Sequence, residues 1–225
     1  MSTAGPGENP AEPPLDCTLC PRLATYLAES RIEHPDWFNA PVPSFGDPDA
    51  RLLIVGLAPG ITGANRTGRP FTGDFAGDLL YATIGKYGFS KGTYQCRPDD
   101  GLELTECMIT NAVRCVPPQN KPVGAEIKTC RDFLDARIRA LPRLEVILAL
   151  GRIAHDSTVS ALGLKRSQTP FGHNVRHLVS ESGDHGRELT LFDSYHCSRY
   201  NTNTRRLTPQ MFEDVFRDIR NYLDN

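Results

Sequence analysis

Apolar residues along the chain fall into two patterns, short unbroken runs and longer stretches with a helical period. The runs are Leu52–Val55, Cys107–Val113, Glu145–Leu150 and Glu188–Asp193. Each is four to seven residues long, rich in aliphatic residues and bounded by glycine, proline or polar residues, as a strand buried on both faces requires. Between them lie stretches with apolar positions three and four apart. One runs from Arg22 to Arg31 with Leu23, Tyr26 and Leu27 in phase, and one starts at Phe75 with Leu79, Leu80 and Ile84. Two more cover 124–140 and the residues after Gly151 through Leu162. The last, from Pro209 to Leu223, sets Met211, Val215, Phe216, Ile219 and Tyr222 on one face. A further β segment is expected at 174–179 within the polar, histidine-rich stretch 163–187. Strands alternating with helices predict an α/β fold, a parallel sheet between helical layers. In such a fold ligands bind beyond the carboxyl ends of the strands. The loops 58–74, 111–122 and 194–204 are therefore expected to converge.

The first of these loops stands out. An ordinary strand-to-helix connection takes roughly 2–6 residues, whereas this one runs from Gly56 to Asp74 with Gly60, Gly63, Gly68 and Gly73 along it. It carries Arg66, Arg69 and Phe71 and ends at a helix start, a setting suited to an anion or a planar ligand. Asp74 is placed to cap that helix.

Composition narrows the class without naming a ligand. At 225 residues, 39% hydrophobic and 23% charged, the chain suits one globular domain. Residues 1–14 are rich in proline, glycine and glutamate and are expected to form a disordered leader, with a single domain over 15–225. The net charge of −2 does not advertise a nucleic-acid partner, although binding depends on local patches rather than on the sum. No run is long enough to span a bilayer and no signal segment opens the chain, so a cytoplasmic protein is expected. Seven cysteines in that setting point to metal ligation before disulfides. Cys17 and Cys20 form a C-x-x-C pair, and Cys115 and Cys130 supply two more sulfurs. Four sulfurs suit a zinc ion or a [4Fe–4S] cluster. The second pair lacks zinc-ribbon spacing, which favours the cluster; the alternative is that Cys115 and Cys130 are buried small apolar residues. Cys96, Cys107 and Cys197 have no such pattern. His34, His155, His173, His177 and His185 lack ligand spacing and read as surface or structural residues.

Taken together, G-L-A-P-G at 56–60, N-R-T-G-R-P-F-T-G-D at 65–74, N-A-V-R-C-V-P-P-Q-N-K-P at 111–122 and H-C-S-R-Y-N at 196–201 resemble the uracil-DNA glycosylase superfamily. The likeness is to its family-5, or type B, branch and covers about residues 15–223. It implies a three-layer α/β/α sandwich on a central four-stranded parallel sheet. It also implies a structural [4Fe–4S] cluster on Cys17, Cys20, Cys115 and Cys130. The implied reaction is hydrolysis of the N-glycosidic bond of uracil, and of other deaminated bases such as hypoxanthine and xanthine, in double-stranded or single-stranded DNA. A monomer is implied, with no nucleotide cofactor and no membrane.

The resemblance also assigns roles. Phe71 would stack on the flipped base and Asn111 would read its edge, with Ala58 and Gly60 against it. His196 would donate to the departing base, Asp74 would serve the sugar cation or the attacking water, and Asn120 would belong to the catalytic group. Arg199, Tyr200, Arg205 and Arg206 would meet the DNA. Three departures are visible. The related family-4 enzymes read G-E-A-P-G, with a carboxylate where this chain has Leu57. The last motif is usually H-P-S, and here Cys197 replaces the proline. Arginine stands for glycine in N-T-R-R-L-T at 203–208. The alternatives are a family-4-like enzyme narrow for uracil, a non-catalytic iron–sulfur DNA-binding or redox-sensing protein, and an α/β protein with a glycine-loop site and a zinc ion.

Overall fold

The four apolar runs are the four inner strands of one sheet. The structure, a computed structural model, describes residues 11–179 and 188–225. Its main sheet joins β1 (Phe45–Gly46), β2 (Leu52–Gly56), β5 (Cys107–Asn111), β6 (Val146–Leu150), β7 (Arg176–Val179) and β8 (Leu189–Ser194) in the order β1-β5-β2-β6-β8-β7. The inner four are mutually parallel and wholly buried, while β1 and β7 lie antiparallel on the two edges. The sheet thus has six strands where four were expected. β1 spans two residues, too few to show a period, and β7 exposes Arg176 and Leu178 because an edge strand has no neighbour to cover it. A separate hairpin pairs β3 (Ser90–Lys91) with β4 (Glu103–Leu104).

Helices cover both faces. The alternation of side chains along a strand sends Leu52 and Ile54 to one side and Leu53 and Val55 to the other. The first side packs on α3 (Phe75–Lys86) and α7 (Pro209–Leu223) through Leu80, Ile84, Phe212, Phe216 and Ile219. The second packs on α4 (Gly124–Ala140) and α5 (Arg152–Ala161) through Leu134, Ile138, Ala154 and Val159. Each fully buried aliphatic or aromatic side chain contributes about 1.5–3 kcal/mol. α7 starts where Thr208 Oγ1 accepts the Met211 N–H at 3.2 Å and Pro209 needs no partner for a missing donor. A smaller apolar cluster joins Leu23 and Leu27 of α1 (Pro21–Glu33) to Val113, Val116, Cys115 and Cys130. Among the described residues no helix is long and apolar enough to cross a membrane.

Residues 11–14, assigned by composition to the leader, are docked on this body; residues 1–10 lie outside the described residues. Ala11 is fully buried. The Glu12 carboxylate accepts from Arg114 Nη1 at 2.8 Å, from Arg137 Nη2 at 2.6 Å and from the Ser44 N–H at 3.1 Å. Arg114 is 1% exposed, and its Nη2 also donates to the Ala11 carbonyl. Burial pushes the Arg114 pKa down, an effect the Glu12 charge opposes. One carboxylate thus neutralises two arginines from different elements. Its removal by Glu12→Ala should destabilise the fold by about 3–5 kcal/mol, because a buried charge is left without its partner. Urea unfolding measures this, and a loss below ~1 kcal/mol would show that the clasp is not structural.

Candidate active site

Beyond the carboxyl ends of β2, β6 and β8 lies a cavity of about 700 Å³. The three expected loops do converge on it, the first through residues between Leu57 and Gly63 and through Asp74, the second through Asn120, and the third through His196, Ser198, Arg199 and Asn201. Two further segments line it that the sequence pattern did not mark, Gly151–Ala154 at the start of α5 and Phe171–Gly172.

The long loop after β2 is shaped by its own side chains. A short helix, α2 (Ala64–Thr67), ends at Gly68 in the left-handed conformation. Arg69 is buried and bonded in bidentate fashion to Asp100 at 2.7 and 2.8 Å, with its guanidinium 5.1–5.6 Å from the centroids of the Phe45, Tyr81 and Tyr94 rings. That arginine holds the loop rather than offering itself to an anion. Phe71 has φ +53, a conformation L residues seldom adopt; Tyr94 Oη donates to its carbonyl at 3.2 Å. At Gly56 a Cβ would lie 2.3 Å from Asn111 Oδ1 and 2.7 Å from the Phe71 ring, so only glycine fits. The Asn111 side chain is buried there, and its Oδ1 has no hydrogen-bond partner. An unmet buried acceptor costs about 1–3 kcal/mol; Asn111 Oδ1 shares this state with Asn65 Oδ1 and Asp193 Oδ2, and neither Asn111 nor Phe71 lines the cavity itself.

Asp74 caps α3, its Oδ1 accepting the Gly77 N–H at 3.1 Å. Its Oδ2 faces the glycine loop, where a Cβ on Gly63 would come within 2.6 Å of it. Burial raises the Asp74 pKa, the Gly77 and Ala76 N–H groups oppose that, and Asp78 adds to it. His196 stands across from it on the loop after β8. Its ring lies 5.8 Å from Phe71 at 26°, and burial pushes its pKa down to about 4, so the imidazole is neutral at pH 7. Asn201 Nδ2 donates to the His196 carbonyl at 2.8 Å. Cys197, in the position that the resemblance gives to proline, is fully buried and donates its S–H to the Ala76 carbonyl at 3.5 Å. That contact ties the histidine loop to the first turn of α3.

Four of the expected rim residues sit on or near α6 (Arg199–Asn203). Arg199 lies over the Phe75 ring at 5.2 Å and Arg206 over Tyr195 at 4.7 Å, both lining the cavity. Tyr200 is 72% exposed and Arg205 is exposed beyond the cavity wall. Asn120, with φ +57, reaches the cavity from the turn at Pro118–Asn120.

Cys17, Cys20, Cys115 and Cys130 line one small cavity, and none is in a disulfide. Burial, reinforced by the neighbouring thiols, pushes Cys115 up to about 12 and, against the Arg114 N–H, Cys130 up to about 11. The Arg114 N–H donates to Cys130 Sγ at 3.3 Å. Among the described residues no three His, Cys, Asp or Glu side chains form a group able to hold a metal ion. Four thiols around one small cavity are a donor set whose chemistry suits a zinc ion or a [4Fe–4S] cluster. Of the histidines, His155 is buried and His185 lies outside the described residues.

A parallel α/β sheet with a cavity at its strand ends, lined by a neutral imidazole and a half-buried carboxylate, is the setting of the uracil DNA glycosylase superfamily. The model of that superfamily matches residues 43–220, and the chain belongs to it. Within the superfamily the chain is 42% identical over 209 residues to a type-5 uracil-DNA glycosylase of Thermus thermophilus, covering 91% of this chain and 92% of that protein. It is 40% identical over 213 residues to a type-5 uracil-DNA glycosylase of Mycobacterium bovis, covering 91% and 77%. A type-4 uracil-DNA glycosylase of Sulfurisphaera tokodaii is 32% identical over 177 residues, covering 77% and 72%.

The two perturbed groups make opposite contributions to stability. The raised Asp74 pKa means that the folded chain keeps a proton the unfolded chain has released, so wild type loses stability as pH rises above about 4. Asp74→Asn, which retains an N-cap acceptor, should gain in Tm over wild type across that rise. His196 binds a proton near 6.5 when unfolded but only near 4 when folded, so wild type loses stability as pH falls through that window. His196→Gln should lose less. Calorimetric Tm values from pH 4 to 8 test both, and parallel curves for all three proteins would refute the burial of these groups.

Proposed function

We propose that the protein is a monofunctional DNA glycosylase that hydrolyses the N-glycosidic bond of uracil in DNA and leaves an abasic site. The observation that carries this reading is the buried, unpartnered Asn111 Oδ1 against the Phe71 ring, in a fold whose relatives bear the name. A base must leave the duplex to be cut. Phe71 offers it a stacking face worth roughly 1–3 kcal/mol, and the Asn111 amide offers a donor and an acceptor to its edge. Ala58 and Gly60 leave room beside it. As the bond breaks, negative charge develops on the base and positive charge on the sugar. A neutral His196 donates a hydrogen bond to the base oxygen without first losing a proton to bulk water. The Asp74 carboxylate stabilises the sugar cation or orients the water that attacks it. Asn120, at the same cavity, helps position that water. Leu57 and Ala58 set no polar side chain against the base. A purine such as hypoxanthine or xanthine then leaves no site group unpaired, which is the usual basis of strong rejection. The perturbed Asp74 and His196 also favour a working site over a non-catalytic DNA-binding or redox-sensing protein.

Arg199, Arg205 and Arg206 contact phosphates, and the exposed Tyr200 enters the duplex beside them; single-stranded DNA uses the same groove. Cys17, Cys20, Cys115 and Cys130 hold a [4Fe–4S] cluster. Held there, such a group would tie the start of α1, through Cys17 and Cys20, to the loop before α4 and to α4 itself, through Cys115 and Cys130. The protein works as a monomer in the cytoplasm, on the nucleoid.

Single-turnover excision from a uracil-containing duplex, read as strand cleavage after alkali, should fall about 10²–10⁴-fold in Asp74→Ala and in His196→Ala. Asn111→Asp should change which deaminated base is cut fastest, since a donor at the base edge becomes an acceptor. Wild-type rates in Asp74→Ala would remove that residue from the mechanism.

Cys17→Ala and Cys130→Ala should yield colourless, poorly soluble protein, because metal binding here is part of folding. Cys96→Ala should keep its iron. Full iron content in either of the first two variants overturns the four-cysteine assignment.

A further inference from the structure

Behind the cavity wall formed by Phe171 and Gly172 lies a buried polar group that the proposed chemistry does not use. His155, on α5, is 1% exposed. Its Nδ1 lies 2.7 Å from Asp193 Oδ1 and its Nε2 lies 2.8 Å from the Thr169 carbonyl oxygen. A neutral imidazole has one N–H and one lone pair, so beside a carboxylate one of these two contacts would set lone pair against lone pair. The imidazolium donates in both directions. Asp193, fully buried, has no hydrogen-bond partner at its other oxygen, which faces His177 Nε2 at 3.7 Å. His177 Nε2 in turn lies 3.2 Å from the Pro170 carbonyl. Two consecutive carbonyls, 169 and 170, are therefore gripped by two imidazoles that share one carboxylate.

We propose that His155 is a charged clamp that positions residues 169–172, and with them the Phe171 wall of the cavity, for the DNA strand entering the site. Phe171 lies edge-on to the His155 ring at 5.5 Å, under the Arg152 guanidinium at 5.4 Å and beside Tyr195 at 6.1 Å. Arg206 covers the other aromatic of that pair. Anchoring the segment thus fixes an aromatic and arginine shelf along one side of the cavity. His155 touches no reacting atom and acts through Phe171, as a positioning residue. The charged groups around it are Asp193 on β8, His177 on β7 and, on its own helix, Asp156, whose carboxylate is 3.7 Å from Arg166. Burial alone would lower the His155 pKa, but the Asp193 bond and charge, the Thr169 carbonyl and Asp156 outweigh it and raise the pKa. The clamp is therefore complete below the ordinary histidine value and loosens as pH rises through the elevated one.

The role in DNA binding rests on the glycosylase reading; the charge state of His155 does not. Nitrogen-edited NMR of the intact, cluster-containing protein should show two slowly exchanging ring N–H protons on His155 below the ordinary histidine pKa, with ring shifts that titrate only above it. A single ring N–H, as in a neutral imidazole beside a protonated Asp193, overturns the proposal. In Asp193→Asn the amide can donate to Nδ1, so the Thr169 contact survives while the charge is lost. That variant should show one ring N–H, and two ring N–H protons there would overturn the assignment of the charge to the Asp193 pair. His155→Ala should raise the half-saturating concentration of uracil-containing duplex by about tenfold while the maximal single-turnover rate changes far less. Equal half-saturation in wild type and His155→Ala overturns the positioning role. Should His155→Ala fail to fold, the double variant His155→Ala/Asp193→Ala, which strands no charge, takes its place. Wild-type protein inactive on every deaminated base would defeat the glycosylase reading while leaving the NMR result standing.

Discussion

The pairing of β2 with its two parallel neighbours is the constraint on which everything else depends. β2 is buried on both faces and sets the register of the sheet, with Gly56 opposite Asn111 at its carboxyl end. Because residue 56 has no Cβ, the Asn111 amide and the Phe71 ring can occupy the same notch. A register shift of one residue would turn Asn111 into the helical layer and bring Thr110 or Ala112 to the notch. The amide's position is thus a property of the sheet's hydrogen bonding more than of the loop that carries the motif.

The electrostatics of the cavity set function against stability. Asp74 stabilises α3 as a cap, yet its burial raises its pKa, and His196 is held neutral by the same dryness. Dry surroundings strengthen any hydrogen bond these groups make to a charge that develops between them. They also make the empty site less favourable than a packed apolar one. The chain as a whole is slightly acidic, but Arg199, Arg205 and Arg206 all lie on one stretch beside the opening. A local field of one sign can therefore coexist with a net charge of the other.

Much of this was legible in the sequence, for identifiable reasons. The 124–140 and 209–223 helices have the bounds that their periodicity indicates, since a glycine or a Thr-Pro start and an apolar face leave little freedom. The four inner strands were readable because burial on both faces demands unbroken apolar runs. The edges were not, because β1 is two residues long and β7 is half exposed. Asp74, Asn120 and His196, each carried by a motif, line the cavity, whereas Phe71, carried by the same motif as Asp74, does not. Arg69 sits in a loop suited to an anion, but its partner is Asp100, thirty-one residues away, which no local pattern marks. Arg152 and Phe171 carry no motif, and only the packing of α5 beside β8 brings them to the cavity. Ala11 and Glu12 sit in a composition typical of disorder, and what orders them is a pair of arginines more than a hundred residues downstream.

That last feature bears on how the molecule is made. Glu12 is bonded to Arg137, 125 residues later in the chain. A ribosome adding about 5–20 residues per second needs roughly 6–25 s to cover that distance. For most of that interval Glu12, Cys17 and Cys20 have been made while Arg114, Cys115, Cys130 and Arg137 have not. The two early thiols wait without their partners, and the segment before α1 cannot close over a body that does not yet exist. The segment around Glu12 is made before either arginine that holds it, and its contact with Arg137 waits until that residue has been added.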